Sequence, residues 1–157
     1  MSIPNYLTLL RIVLTPCFFT ALVSYGPGKE NLRWLALAIF IFAAITDALD
    51  GILARFLKQR TPIGELLDPL ADKLLLISGY LGLIFVKALP FHPPLWVTVT
   101  IIFRDLILLF GFFVITFFSL KIEIKPNRLG KWTTVFQMLL LIFVLLELPI
   151  SRAMGYL

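Results

Sequence analysis

Five apolar stretches run through this chain and limit its fold more than any other feature. They cover residues 7–25, 32–56, 63–89, 95–120 and 129–148 of 157. Each is long enough to cross a hydrocarbon core of about 30 Å as a helix, for which about 20 apolar residues suffice. Since an open chain can satisfy its backbone polar groups within lipid only as helices, the pattern predicts an all-α, polytopic transmembrane helix bundle with five spans.

The composition supports a membrane protein with one domain. Hydrophobic residues make up 60% of the chain and charged residues 15%, whereas a soluble domain carries about 25% charged residues. No polar segment is long enough to fold separately, so we expect residues 1–157 to form a single membrane domain. Without a soluble surface to present it, nucleic acid is a poor candidate partner.

The positive charges predict an orientation in the membrane. Outside Lys73 and Arg104, which fall within spans, an N-terminus in the cytoplasm places eight cations inside and four outside. The positive-inside rule favours this arrangement, and the inner cations would attract anionic membrane lipids. The inner set is Arg11, Arg55, Lys58, Arg60, Lys121, Lys125, Arg128 and Lys131, and the outer set is Lys29, Arg33, Lys87 and Arg152.

Four aspartates lie within the second and third stretches, at positions 47, 50, 68 and 72. A carboxylate at membrane depth costs about 2.5–3.5 kcal/mol on insertion scales, so a compensating partner is required. At about 100° per residue the first two share one helix face and the last two share another. The same faces carry small residues and one cation, namely Gly51, Ala54, Arg55 and Gly64.

Divalent metal is the partner that this pattern favours. Two divalent ions balance four carboxylates, and all-oxygen ligands suit hard ions such as Mg²⁺ or Mn²⁺. One alternative is structural ion pairing with Arg55, Lys73 and Arg104. Another is a cation path in a channel or transporter. The small residues fit either an approaching nucleotide or close packing of helices.

The acidic segment resembles a known family signature. Asp47-x-x-Asp50-Gly51-x-x-Ala54-Arg55, followed after eight residues by Gly64-x-x-x-Asp68-x-x-x-Asp72, looks like the signature of the CDP-alcohol phosphatidyltransferases. Residues 3–11 and 129–137 are similar to segments of the family's bacterial phosphatidylglycerophosphate synthases.

The resemblance implies transfer of a phosphatidyl group from CDP-diacylglycerol to an alcohol, with release of CMP, at the cytoplasmic face of a bacterial inner membrane. It also implies a homodimer. By the family pattern two Mg²⁺ or Mn²⁺ ions are held by Asp47, Asp50, Asp68 and Asp72, and Asp72 also serves as general base. The cytidine diphosphate would be held by Asn5, Thr8, Gly51, Ala54, Arg55 and Gly64.

The resemblance favours glycerol 3-phosphate as the acceptor, with phosphatidylglycerol or an inositol phosphate as alternatives. The cations available for a phosphorylated acceptor are Arg104, Lys125, Arg128 and Lys131, although positive-inside flanking also accounts for such residues. Two features depart from the phosphatidylglycerophosphate synthases. Those synthases usually carry Arg-Glu where this chain has Arg104-Asp105, a pattern closer to that of the related cardiolipin synthases. The family typically has six membrane helices, whereas five are predicted here. A non-enzymatic cation-binding or transport protein is the competing class.

Overall fold

The computed structural model consists of five α-helices in the order that the apolar pattern predicts. It describes residues 3–56, 62–89, 92–118 and 128–146, with the side chains of residues 3–5, 50–56, 62–63, 65–66, 128–129 and 131 left out. Within these ranges there is no strand, and the all-α prediction is confirmed. The helices are α1 (Ile3–Val23), α2 (Glu30–Phe56), α3 (Pro62–Phe85), α4 (Leu95–Phe117) and α5 (Arg128–Leu145).

Three of these helices contain segments long and apolar enough to cross a membrane. The segments are Tyr6–Val23 in α1, Glu30–Leu49 in α2 and the whole of Leu95–Phe117 in α4, and α5 holds a shorter apolar segment, Trp132–Leu145. The charged residues of α3 interrupt its apolar character, yet α3 packs beside α1. The chain is an integral membrane protein.

Helix α1 packs against both α2 and α3, and α3 also contacts α4 and α5. Its Phe18 and Leu22 are fully buried against a core that includes Phe40 of α2 and Leu83 of α3. The rings of Phe18 and Phe40 lie 5.5 Å apart. Since lipid tails are as apolar as these side chains, close packing holds such a bundle together rather than exclusion of water.

Two glycines of α3 let neighbouring helices approach its backbone. A Cβ added at Gly79 would lie less than 3.0 Å from the Leu141 side chain of α5, and one added at Gly82 would lie equally close to Leu22 of α1. Small residues commonly serve this purpose in membrane helices. Helix α3 is therefore clamped between α1 and α5.

Contacts of Arg11 with Asp47 and of Thr8 with Asp68 bring the first half of α1, the second half of α2 and the first half of α3 together toward one end of the bundle. The turn between α1 and α2 uses Gly28 at φ 79°, a backbone conformation that costs glycine little. The buried residues of α4 are Thr98 and Asp105, and the rest of this helix is partly or fully exposed and available to lipid.

Candidate active site

Arg11 of α1 forms an ion pair with the first aspartate of the predicted site. Its Nη1 lies 2.5 Å from Oδ1 of Asp47, and the two side chains are 1% and 38% exposed respectively. Arg11 was counted among the inner cations that would attract membrane lipids, but packing of α1 against α2 and α3 buries it completely. It neutralises an acidic group within the bundle instead.

Thr8 lies one turn before Arg11 and contacts the third helix. Its hydroxyl donates to Oδ1 of Asp68 at 2.6 Å, and the threonine is 1% exposed. Charge-assisted hydrogen bonds to carboxylates are among the stronger kinds. One face of α1 therefore holds an aspartate of α2 and an aspartate of α3.

Asp72 lies one helical turn beyond Asp68 and completes the described part of the acidic cluster. Its side chain is 23% exposed, and Nζ of Lys73 lies 3.9 Å from its Oδ2. Asp72 also interacts electrostatically with Asp47 and Arg11. Three of the four predicted metal ligands thus share one end of the bundle. The fourth, at position 50, is in α2, and its side chain lies outside the described residues.

The donors at this end suit a hard divalent ion in their chemistry. Three partly exposed carboxylates from α2 and α3 supply oxygen, the ligand atom that Mg²⁺ and Mn²⁺ prefer. Among the described side chains, no three acidic, histidine or cysteine groups lie close enough together to enclose an ion. Arg11 and Thr8 already contact two of the carboxylates, so an ion would have to share or replace those contacts.

The residues predicted to hold cytidine diphosphate flank the acidic cluster along the chain. Thr8 directly contacts it through Asp68, and Gly64 is buried on the first turn of α3. The remaining residues are in helical backbone, in α1 or at the end of α2, with side chains outside the described set: Asn5, Gly51, Ala54 and Arg55.

The structure describes the side chain of one of the four predicted acceptor residues. Arg104 is 29% exposed, and its Nη1 lies 3.2 Å from Oδ1 of Asp105. Nη1 also donates to Oε1 of Gln137 at 3.1 Å. Lys125 lies outside the described residues, and Arg128 and Lys131 are in the first turns of α5 with side chains outside them.

A buried polar network around Asp105 was not predicted. Asp105 is 0% exposed and lies 3.4 Å from Nζ of Lys73. Its other oxygen accepts from Nε2 of Gln137 at 3.4 Å. Lys73 and Arg104, considered from sequence as partners for the four aspartates, are drawn mainly to Asp105, and Arg11 pairs with Asp47. For the contacts of α1 with the aspartates, the sequence did contain a signal. Thr8, Arg11 and Thr15 recur at helical spacing on the otherwise apolar α1, and all three are buried.

Comparisons with known proteins agree with the acidic signature. A sequence profile described as CDP-alcohol phosphatidyltransferase matches residues 1–157. A probable phosphatidylglycerophosphate synthase of Mycobacterium tuberculosis is 44% identical over 105 residues, which are 67% of this chain and 48% of that protein. A CDP-diacylglycerol--glycerol-3-phosphate 3-phosphatidyltransferase of Cereibacter sphaeroides is 36% identical over 98% of this chain and 67% of its own length.

A relative with another activity in its name also matches. A probable cardiolipin synthase (CMP-forming) of Drosophila melanogaster is 39% identical over 76% of this chain and 34% of its own length. The chain thus spans about half the length of the Mycobacterium protein and about a third of the Drosophila protein. With the profile covering every residue and the acidic signature complete, the chain belongs to the CDP-alcohol phosphatidyltransferase family.

Proposed function

We propose that this protein transfers a phosphatidyl group from CDP-diacylglycerol to glycerol 3-phosphate, forming phosphatidylglycerophosphate and CMP. The observation that carries the proposal is the placement of Asp47, Asp68 and Asp72 on neighbouring parts of α2 and α3, where Arg11 and Thr8 of α1 contact the first two of them. The name of the Cereibacter relative, which matches almost the whole chain, supports the acceptor.

The reaction is a substitution at phosphorus. The acceptor hydroxyl oxygen forms a bond to the β-phosphorus of the CDP-lipid, the bond from that phosphorus to the CMP oxygen breaks, and CMP leaves. Asp72 takes the hydroxyl proton, a role open to a partly exposed carboxylate. General-base assistance of this kind contributes about 10²–10⁴ in rate.

The aspartates of positions 47, 50, 68 and 72 would hold two Mg²⁺ or Mn²⁺ ions. When bound, such ions neutralise diphosphate charge and stabilise the leaving group. The chain's own contribution is placement. Thr8 fixes the Asp68 carboxylate, and Arg11 fixes that of Asp47.

The same proposal assigns roles in substrate binding to residues around the aspartates. Gly64, Gly51, Ala54, Arg55 and Asn5 would line the cytidine diphosphate site. Arg104, Lys125, Arg128 and Lys131 would bind the acceptor phosphate, and a partly exposed guanidinium suits that role. We place the site at the cytoplasmic face of a bacterial inner membrane, where most of the cations lie, and the protein in a homodimer, as the family resemblance implies.

Cardiolipin synthesis is the second candidate, with phosphatidylglycerol as acceptor. It is favoured by Asp105 beside Arg104 and by the name of the Drosophila relative. The two candidates differ in whether the acceptor is a small water-soluble phosphate or a lipid.

Release of CMP from CDP-diacylglycerol by the purified protein in detergent micelles tests the proposal. Glycerol 3-phosphate, phosphatidylglycerol and an inositol phosphate are compared, each with Mg²⁺, with Mn²⁺ and with chelator. We expect metal-dependent release with glycerol 3-phosphate and a loss of about 10²–10⁴ in rate for Asp72→Asn. Release with phosphatidylglycerol alone would establish the second candidate, and no release with any acceptor would favour a cation-binding or transport protein.

Glu30→Gln provides the matched control for the loss of a carboxylate. Glu30 is exposed in the first turn of α2, at the opposite end of that helix from Asp47. Its removal should leave CMP release unchanged. Equal losses in both variants would mean that Asp72 has no special role.

A further inference from the structure

Asp105 is the centre of a buried network that joins three helices. Its carboxylate contacts Lys73 of α3 at 3.4 Å, Arg104 of α4 at 3.2 Å and Gln137 of α5 at 3.4 Å. Gln137 also accepts from Arg104 at 3.1 Å and, through its backbone oxygen, from the hydroxyl of Tyr80 at 2.9 Å. These contacts fix the position of a carboxylate that is 0% exposed.

Lys73 lies between this network and the acidic cluster. Its Nζ is 3.4 Å from Oδ1 of Asp105 and 3.9 Å from Oδ2 of Asp72. It also donates to Oγ1 of Thr134 at 3.5 Å. An ammonium carries three donors that can serve different acceptors, and here the nearer carboxylate is Asp105. Two carboxylates therefore compete for one ammonium.

We infer that Asp105 is a positioning residue that draws the ammonium of Lys73 away from Asp72, so that Asp72 stays available to a divalent cation. The inference rests on the proposed function in that Asp72 is taken to bind such an ion. The side chains of Lys73 and Asp72 are mostly buried, at 13% and 23% exposed, and attraction between opposite charges in such surroundings is stronger than in water. If Lys73 closed fully on Asp72, it would therefore compete with the ion for that carboxylate.

Removing the charge of Asp105 should redirect Lys73. In Asp105→Asn the amide keeps the shape but loses the negative charge, and the ammonium should then pair with Asp72. We expect Mn²⁺ affinity to fall by about tenfold, the lower end of the effect typical for groups that orient metal ligands. Adding Lys73→Met to Asp105→Asn removes the competing ammonium and should restore the affinity to within about threefold of the wild type.

Mn²⁺ binding to the purified full-length chain in detergent, without substrate, tests this inference. The electron paramagnetic resonance signal of free Mn²⁺ is followed during titration. The Lys73→Met variant by itself should bind Mn²⁺ at least as tightly as the wild type, whereas loss of a merely structural partner would weaken binding. This variant keeps the test decisive if Asp105→Asn fails to fold.

Three outcomes would overturn the inference. They are wild-type affinity in folded Asp105→Asn, a double variant as weak as Asp105→Asn, and weakened binding in folded Lys73→Met. These results are distinguishable from failure of the proposed function, because that failure appears in the wild type as absence of metal-dependent CMP release. A wild type that binds no Mn²⁺ refutes the proposed metal site and this inference together.

Discussion

In the ion pair between Arg11 and Asp47 the arginine is buried and the aspartate is partly exposed. This difference predicts that mutating the two residues will have unequal effects on stability. The Arg11 side chain is 1% exposed and that of Asp47 is 38% exposed. Exposed pairs contribute about 0–1 kcal/mol, and removing one partner of a buried pair costs about 3–5 kcal/mol. The cost therefore depends on which partner remains.

Arg11→Met leaves a carboxylate that can reach solvent, so we expect it to lower the free energy of unfolding by about 1–2 kcal/mol, between the exposed and buried limits. Asp47→Asn takes the carboxylate from a guanidinium that cannot reach solvent, so about 3 kcal/mol should be lost. Because neutral replacement of both partners of a buried pair is often tolerated, the double variant should be more stable than Asp47→Asn.

Thermal unfolding in detergent with chelator present measures these effects without competition from metal. For a chain of this size 1 kcal/mol corresponds to about 2–4 °C in Tm, so Asp47→Asn should melt about 2–8 °C below Arg11→Met. The exposed-acid control Glu30→Gln should melt with the wild type. Equal shifts for the two single variants, or strictly additive losses in the double variant, would refute the reasoning.

Two further predictions concern helix packing and the support of Asp68. Gly79→Val should cost about 1–3 kcal/mol in detergent unfolding, because its Cβ would meet Leu141 at less than 3.0 Å. Gly111→Ala, with nothing within 4 Å, should change stability by less than about 0.5 kcal/mol; comparable losses in both would contradict the packing argument. Thr8→Val removes the hydroxyl that donates to Asp68 and should weaken Mn²⁺ binding about tenfold in the same resonance titration, and unchanged binding would show that this hydroxyl does not support the site.

The helices could be predicted from the sequence because lipid leaves a chain few options. Predicted spans 32–56 and 95–120 correspond to α2 and α4 as observed, and both predicted starts lie within two residues of the helix. Gly28 lies in the turn between α1 and α2, and Pro94 directly precedes α4, so residues typical of turns stand where the helices are interrupted. The acidic cluster was predictable for a related reason, since helical periodicity places Asp68 and Asp72 on one stripe.

The partners of the charged residues were harder to predict, because they depend on which helices pack together. Periodicity gives the face of a helix and says nothing of its neighbour. Arg11 was counted with the inner cations that would attract membrane lipids, but α1 packs on α2 and α3 and buries this side chain in the bundle. Asp105 was read as a departure from a sequence pattern, whereas its contacts with α3 and α5 make it a buried hub.

The acidic cluster of Asp47, Asp68 and Asp72 and the network around Asp105 differ in net charge. Among the described side chains of the acidic cluster, the guanidinium of Arg11 offsets one of three carboxylates, and the excess negative charge is what a divalent cation can neutralise. In the network around Asp105, the two cations Lys73 and Arg104 exceed the single negative charge of Asp105, so this network is positive beside Asp72. The opposite net charges of these two neighbouring clusters favour binding of a cation at the aspartates and of an anion beside them.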